Sequence, residues 1–247
     1  MTLVEQYRTT DAEQARTADL LRLLPKGRRS VLDIGARDGY FSRLLTKHFN
    51  EVTALDLHEP SFNIDGVRTT AGDATNLQFS NDAFDCVFCA EVLEHIPNCS
   101  KACSEIIRVA KHEIVIGVPY RQDIRIGRMT CQSCNQISPP WGHVNSFDEA
   151  TLARLFSGCE ITTTSYVGSS TGATNPLATF LMDVAGNPWG PYYQEEPCIH
   201  CGAKLVAPGK RKLWQRACSA SATLLNGLQS SFETPHANWI HIVATKR

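Results

Sequence analysis

The stretch SVLDIGARDGYFSRLLTKHF, beginning at Ser30, constrains the fold more than any other part of this chain. A short apolar run ending near Ile34 meets a glycine-bearing turn. A helical period follows, placing Phe41, Leu44, Leu45 and Phe49 on one face. This is a strand, a turn and a helix, and the rhythm continues. EVTALDL, RTTAGDA, FDCVFCAEV, HEIVIGVPY, CEITTTSYVG and NWIHIVATK read as further strands, with helical segments such as SKACSEIIRVAK between some of them. The runs are mostly apolar throughout rather than alternating, which indicates strands covered on both faces and hence a mainly parallel sheet. The expected fold is a doubly wound α/β architecture with a mainly parallel, seven-stranded sheet. Thr10 with Glu13, and Ser146 with Glu149, have capping-box spacing at the start of two helices.

After Tyr120 this rhythm breaks. RQDIRIGRMTCQSCNQISPPWGHVN has neither helical nor strand period, and from about Gly168 to His236 the chain is rich in Gly, Pro and Ser, with one amphipathic stretch near KLWQRACSASATLL. Such an excursion is too long for an ordinary loop. The expected division is a main domain of residues 1–128, 141–171 and 236–247, with an insertion or lid of residues 129–140 and 172–235. A chain of 247 residues that is 43% hydrophobic can bury a core of the size this division requires.

Twenty-four basic residues against 25 acidic ones leave a net charge of -1, so no global field draws the protein to nucleic acid or anionic lipid, although a local basic patch is compatible with it. The polar, acid-containing start MTLVEQYRTTDAEQ is unlike a secretory or transit signal, and no apolar run is long enough to span a bilayer. The ten cysteines are then expected to be reduced thiols or metal ligands in a cytoplasmic protein with no membrane partner.

In an open parallel sheet the first strand-to-helix turn supplies part of the ligand site. Here that turn is Asp33-Ile34-Gly35-Ala36-Arg37-Asp38-Gly39, which lacks the G-x-G-x-x-G spacing that cradles a pyrophosphate. A carboxylate at Asp33 repels phosphate and suits a ligand carrying an ammonium and a sulfonium, so S-adenosylmethionine is favoured over a nicotinamide dinucleotide. Asp56 lies at the end of the second strand, where an acid can meet ribose hydroxyls.

With VLDIGARDGYFSRLL, LDL, AGDATNLQF, FDCVFCAEVLEHIP and GHVNSFDEATLARLF in this order, residues 30–157 resemble the class I S-adenosylmethionine-dependent methyltransferases, in particular the methyltransferase-11 type. The resemblance implies that Asp33, Gly35 and Gly39 line the methionine and ribose side, and that Asp56, with Leu57 beside it, binds the ribose. It further implies that Asp73 and Ala74 meet the adenine and that Ala90 and Glu91 close the pocket. Arg37 stands where that family usually has a second glycine; its side chain is expected to turn to solvent or to reach the cofactor's carboxylate.

Methyl transfer needs orientation and, for a hydroxyl acceptor, removal of a proton. His95 and His143 are the candidate bases; alternatively Glu91, Glu94 and His95, at i, i+3 and i+4, would gather around a divalent ion. Tyr7, Arg8, Tyr120, Arg121 and Trp141 are lid or pocket candidates. Cys131-Gln-Ser-Cys134 and Cys198-Ile-His-Cys201 have the spacing of two thiolate pairs on one structural zinc ion, whereas Cys86 and Cys89 read as core thiols. The expected activity is methylation of an oxygen or nitrogen of a small metabolite or sugar-containing molecule. The alternatives are an RNA methyltransferase using the zinc module and the basic run Gly209 to Arg216, and a cofactor-binding assembly protein without catalysis.

Overall fold

A computed structural model describes residues 7–247. In chain order its elements are α1 (Asp11–Arg22), β1 (Ser30–Ile34), α2 (Tyr40–Leu45), β2 (Glu51–Asp56), β3 (Val67–Ala71), β4 (Phe84–Ala90), α3 (Cys99–Val109), β5 (Ala110–Pro119), β6 (Met129–Thr130), β7 (Ile137–Ser138), α4 (Glu149–Leu155), β8 (Cys159–Val167), α5 (Pro176–Val184), α6 (Leu213–Ser230) and β9 (Trp239–Lys246). Seven strands form one sheet in the order β3-β2-β1-β4-β5-β9-β8; β1 to β5 pair in parallel, and β9 runs antiparallel to both β5 and β8. The expected doubly wound, mainly parallel sheet is thus present. The winding reverses between β1 and β4, so the carboxyl ends of these two strands flank the crevice where such sheets bind ligands.

Strand period 2 explains why both faces are apolar. Val31, Val52, Cys86, Phe88 and Val115 belong to one core with Leu20 of α1 and Leu45 of α2. Leu32, Ile34, Val87, Cys89, Ile114 and Ile116 belong to the other, with Ile106 of α3 and Phe156 after α4. Each such side chain contributes about 1.5–3 kcal/mol on burial. The edge strand β8 instead alternates, with one face left to solvent, in keeping with its Thr-rich sequence.

Local caps set the helix starts. Thr10 Oγ1 accepts from the Glu13 backbone N–H, as expected, but the Glu13 carboxylate turns inward to Arg16 instead of completing the box. At α4 the structure corrects the sequence reading: the cap is Asp148, whose Oδ1 accepts from the Thr151 N–H at 2.8 Å, and not Ser146. Two residues of register are enough to move a capping box, and Asp148 combines the oxygen acceptor with the extended backbone a cap needs. The short α5 was not expected; Asn175 followed by Pro176, a cap and a first-turn proline, is the signal that marks it.

The described residues divide into two compact units, 7–120, 147–168 and 237–247, and 121–146 and 169–236. Residues 121–128, 141–146, 169–171 and 236, drawn with the main domain on sequence grounds, group with the smaller unit. The seam is set by backbone pairing: Tyr120 bridges Phe147, the Asn238 N–H bonds the Val167 carbonyl, and within the smaller unit Ser170 bridges His236. The smaller unit contains the β6–β7 hairpin, both cysteine pairs and the α5–α6 pair. Among the described residues, no helix is long and apolar enough to cross a membrane.

Candidate cofactor and zinc sites

At the end of β1 the backbone enters the left-handed region at Gly35 (φ 78°), Arg37 (φ 47°) and Gly39 (φ 78°). A Cβ on Gly35 would stand 2.2 Å from Val92 Cγ2, and one on Gly39 would press on Phe62 and Ile64 at 2.8–2.9 Å. Both glycines are therefore required by conformation and by close packing. Arg37 adopts the same left-handed backbone at some cost, and its N–H donates to Asp56 Oδ2 at 2.8 Å. The Leu57 N–H donates to Asp56 Oδ1 at 2.7 Å. Two backbone donors thus fix the Asp56 carboxylate at the carboxyl edge of β2, with acceptor capacity left over. Asp73 closes a turn after β3 by accepting from the Thr75 N–H and hydroxyl, and Ala74 beside it is buried.

Asp33 faces inward. Its carboxylate accepts from the Ser42 hydroxyl at 2.5 Å, and burial, reinforced by the negative charge of Asp56, pushes its pKa up to about 7. Ala90 ends β4, and Glu91 turns through a left-handed φ of 58° with its N–H on the Gly117 carbonyl. Residues 93–95 then form a single 3₁₀ turn, so Glu91, Glu94 and His95 do not share an α-helical face as their spacing predicts. Glu94 is buried and His95 is exposed.

Sequence reasoning missed what α1 brings to this edge. Arg16 is 5% exposed and holds Glu13 through two hydrogen bonds; its guanidinium lies near the rings of Phe41 and Trp239, and its Nη1 is 3.8 Å from Glu91 Oε1. Arg8, a lid candidate on sequence grounds that is helical just before α1, pairs with Asp38 and covers the Tyr40 ring at 4.1 Å. Arg16 Nη1, Glu91 Oε1, both oxygens of Glu94, Thr17 Oγ1 and His241 Nε2 are buried without a hydrogen-bond partner among the described residues. Buried polar atoms are rarely left so, each costing about 1–3 kcal/mol. Burial, with the charge of Glu91, pushes the Glu94 carboxyl well up; burial raises Glu91 too, against the pull of Arg16. Burial and the charges of Glu13 and Glu91 push Tyr7 up to about 12. A guanidinium and carboxylates with unused capacity, beside the glycine turn, are complementary to a ligand bearing both an ammonium and a carboxylate. The methionine end of S-adenosylmethionine is such a group, and the Asp56 carboxylate keeps acceptor capacity of the kind a ribose hydroxyl can use.

His143 belongs to the smaller unit, where its Nδ1 lies 2.6 Å from Gln122 Oε1. The four cysteines expected as ligands meet in the same unit. Their sulfurs all lie within 4.8 Å of one another, with Cys131 to Cys201 and Cys134 to Cys198 each at 3.7 Å. That is far from a disulfide length, and it matches the ~3.8 Å edge of a tetrahedron built on ~2.3 Å zinc–sulfur bonds. The two turns are built alike. The Asn135 N–H bonds the Cys131 carbonyl and the Gly202 N–H the Cys198 carbonyl, and both Asn135 (φ 57°) and Gly202 (φ 70°) take the left-handed conformation just after the second cysteine. The Ser138 hydroxyl donates to Cys198 Sγ. Four thiols so placed can hold one zinc ion and leave it no open position. Cys86, Cys89, Cys99 and Cys103 are buried free thiols in the larger unit.

Residues 32–115 match the family model described as a methyltransferase domain. The fold is similar to that of an S-adenosylmethionine-dependent methyltransferase from Mesorhizobium loti, at 14% identity and a TM-score of 0.53 over 94% of this chain and 98% of that one. It is also similar to the N-methyltransferase NodS from Bradyrhizobium japonicum in complex with S-adenosyl-L-homocysteine, at 19% identity and a TM-score of 0.53 over 66% and 83% of the two chains. The cyclase SpnF has the same fold, at 17% identity and a TM-score of 0.53 over 96% and 84%. Residues 32–115 are thus similar to a methyltransferase domain, and the sheet that contains them has the fold of these solved methyltransferase structures.

Proposed function

We propose that this protein methylates an oxygen or nitrogen of a small acceptor, and that one structural zinc ion orders its smaller unit. The observation that carries the reading is the unsatisfied buried polar atoms of Arg16 from α1 and Glu91 after β4, 3.8 Å apart, together with a carboxylate, Asp56, fixed by two backbone donors at the end of β2. When bound, S-adenosylmethionine supplies a methyl group on a sulfonium, a good leaving group for in-line displacement. In this reading the Asp56 carboxylate accepts from the ribose hydroxyls and the Asp73–Ala74 turn meets the adenine. Arg16 and Glu91 take the opposite charges of the methionine end, and Asp33 holds the glycine turn through Ser42. Leu57 and Ala90 flank the cofactor, and the exposed Arg37 turns its side chain to solvent. His95, exposed at the end of the 3₁₀ turn, is the candidate base for a hydroxyl acceptor, with His143 the second. Ten free thiols suit a reducing compartment such as the cytoplasm.

Calorimetry of the zinc-loaded protein with S-adenosylmethionine tests this. Binding in the micromolar range, about -8 kcal/mol, with a loss of tenfold or more in Asp56→Ala, is the expected result. Absence of binding by the folded protein overturns the reading.

A further inference from the structure

Helix α6 is built inside out. Its inward face carries small and polar groups: Ser219 and Ala222 are buried, Asn226 accepts from the Thr174 hydroxyl, and Gln229 accepts from the Asn175 amide. Its outward face carries Leu213, Trp214, Leu224 and Leu228, which are 51–82% exposed. The positions 213, 217, 220, 224 and 228 recur at helical period, so this is one stripe on the side opposite Ser219 and Ala222. The neighbouring α5 continues the theme, with Leu177 and Phe180 57–61% exposed and Ala178 buried. An apolar stripe turned away from its own core needs something other than water to cover it.

Charge says what that is. From Pro197 to Phe232 the sequence contains no acid and five bases, Lys204, Lys210, Arg211, Lys212 and Arg216. Lys210 and Lys212 stand exposed at the start of α6 beside Trp214, and exposed Arg216 flanks the stripe. The one acid of α5, Asp183, is paired with Arg128. We propose that the outward face of α5 and α6 docks on an anionic lipid surface, with the leucines and Trp214 entering the acyl boundary and the lysines meeting headgroup phosphates or carboxylates. Such a helix lies in the interface without spanning it, and its binding adds buried apolar area to attraction for anionic headgroups. The near-neutral net charge of -1 and the lack of a spanning segment, which led to the expectation of no membrane partner, do not weigh this local surface. RNA would use the lysines but leave the leucine stripe uncovered, and a second copy would set two segments of the same positive sign against each other.

The inference is independent of methyl transfer. Zinc-loaded protein is co-sedimented with phosphatidylcholine vesicles with and without phosphatidylserine, while Trp fluorescence is recorded. Expected is binding to the anionic vesicles only, with a blue shift. The bound fraction should fall about tenfold or more both in Leu224→Ser/Leu228→Ser and in Lys210→Glu/Lys212→Glu. Because these side chains point outward, both variants should melt as the parent does, which separates lost docking from lost folding. Failure of the folded parent to bind anionic vesicles overturns the proposal. So does a dimer in sedimentation equilibrium that the leucine variant dissolves, or RNA binding that depends on the lysines alone.

Discussion

Asp33 is an acid held where its charge is unwelcome. Burial and the neighbouring Asp56 push its pKa up to about 7, so the folded state prefers the protonated carboxyl. The stability this gives is fully present below the ordinary carboxylate range near 4 and is lost as pH rises through 7. Without cofactor, Asp33→Asn should therefore unfold at higher urea than the parent at pH 8, by up to about 4 kcal/mol, and show little advantage at pH 4.5. An advantage that does not change with pH would mean that Asp33 is ionised in the fold throughout. Residues around Asp33 were unequally legible. Gly35, Gly39 and Asp56 could be singled out because turns and strand ends need particular residue types. The burial of Glu94 could not, because a 3₁₀ turn and an α-helix accept the same residues and turn different side chains inward.

Elements depend on short local signals that a shift of two residues can mislead. Ser146 and Asp148 both precede the first apolar turn of α4, and only Asp148 bonds the Thr151 N–H. Asp148→Ala should cost about 1 kcal/mol in urea unfolding, and Ser146→Ala should fall within a few tenths of the parent. Equal losses would show that the cap is shared. In α6 the sequence declared amphipathicity but not its direction. Apolar period alone implies an inward stripe, and what reversed it is the set of polar bonds that Thr174 and Asn175 offer to Asn226 and Gln229.

The whole molecule contains two units of unequal means. The larger has two extensive apolar cores, whereas the smaller surrounds its cysteines with only Met129, Leu205 and a few partly buried neighbours. A core that small does not order a long Gly- and Pro-containing segment without a staple. With zinc in the proposed site, its removal by a chelator should abolish hydrogen-exchange protection at 129–138 and 198–205. Protection in β1, β4 and β5 should remain near its original level. Cys134→Ser should reproduce the pattern. If chelation leaves the smaller unit protected, the four thiols do not hold an ordering metal.

The sequence by itself determined the sheet, the glycine turn, the acid after β2 and the two cysteine pairs. Each depends on a period or a spacing that the covalent chain carries, and these signals are short-ranged. Only the tertiary structure decided that Arg16 from α1 meets Glu91 from the end of β4, 75 positions later. The same holds for the outward-facing stripe of α6, whereas the meeting of the two cysteine pairs, more than sixty residues apart, was already expected from their matching spacing. The physical reason is common to the arginine contact and the stripe. Which groups meet across the sheet, and which face of a helix finds its partners, is settled by the packing of segments whose separation no local pattern records.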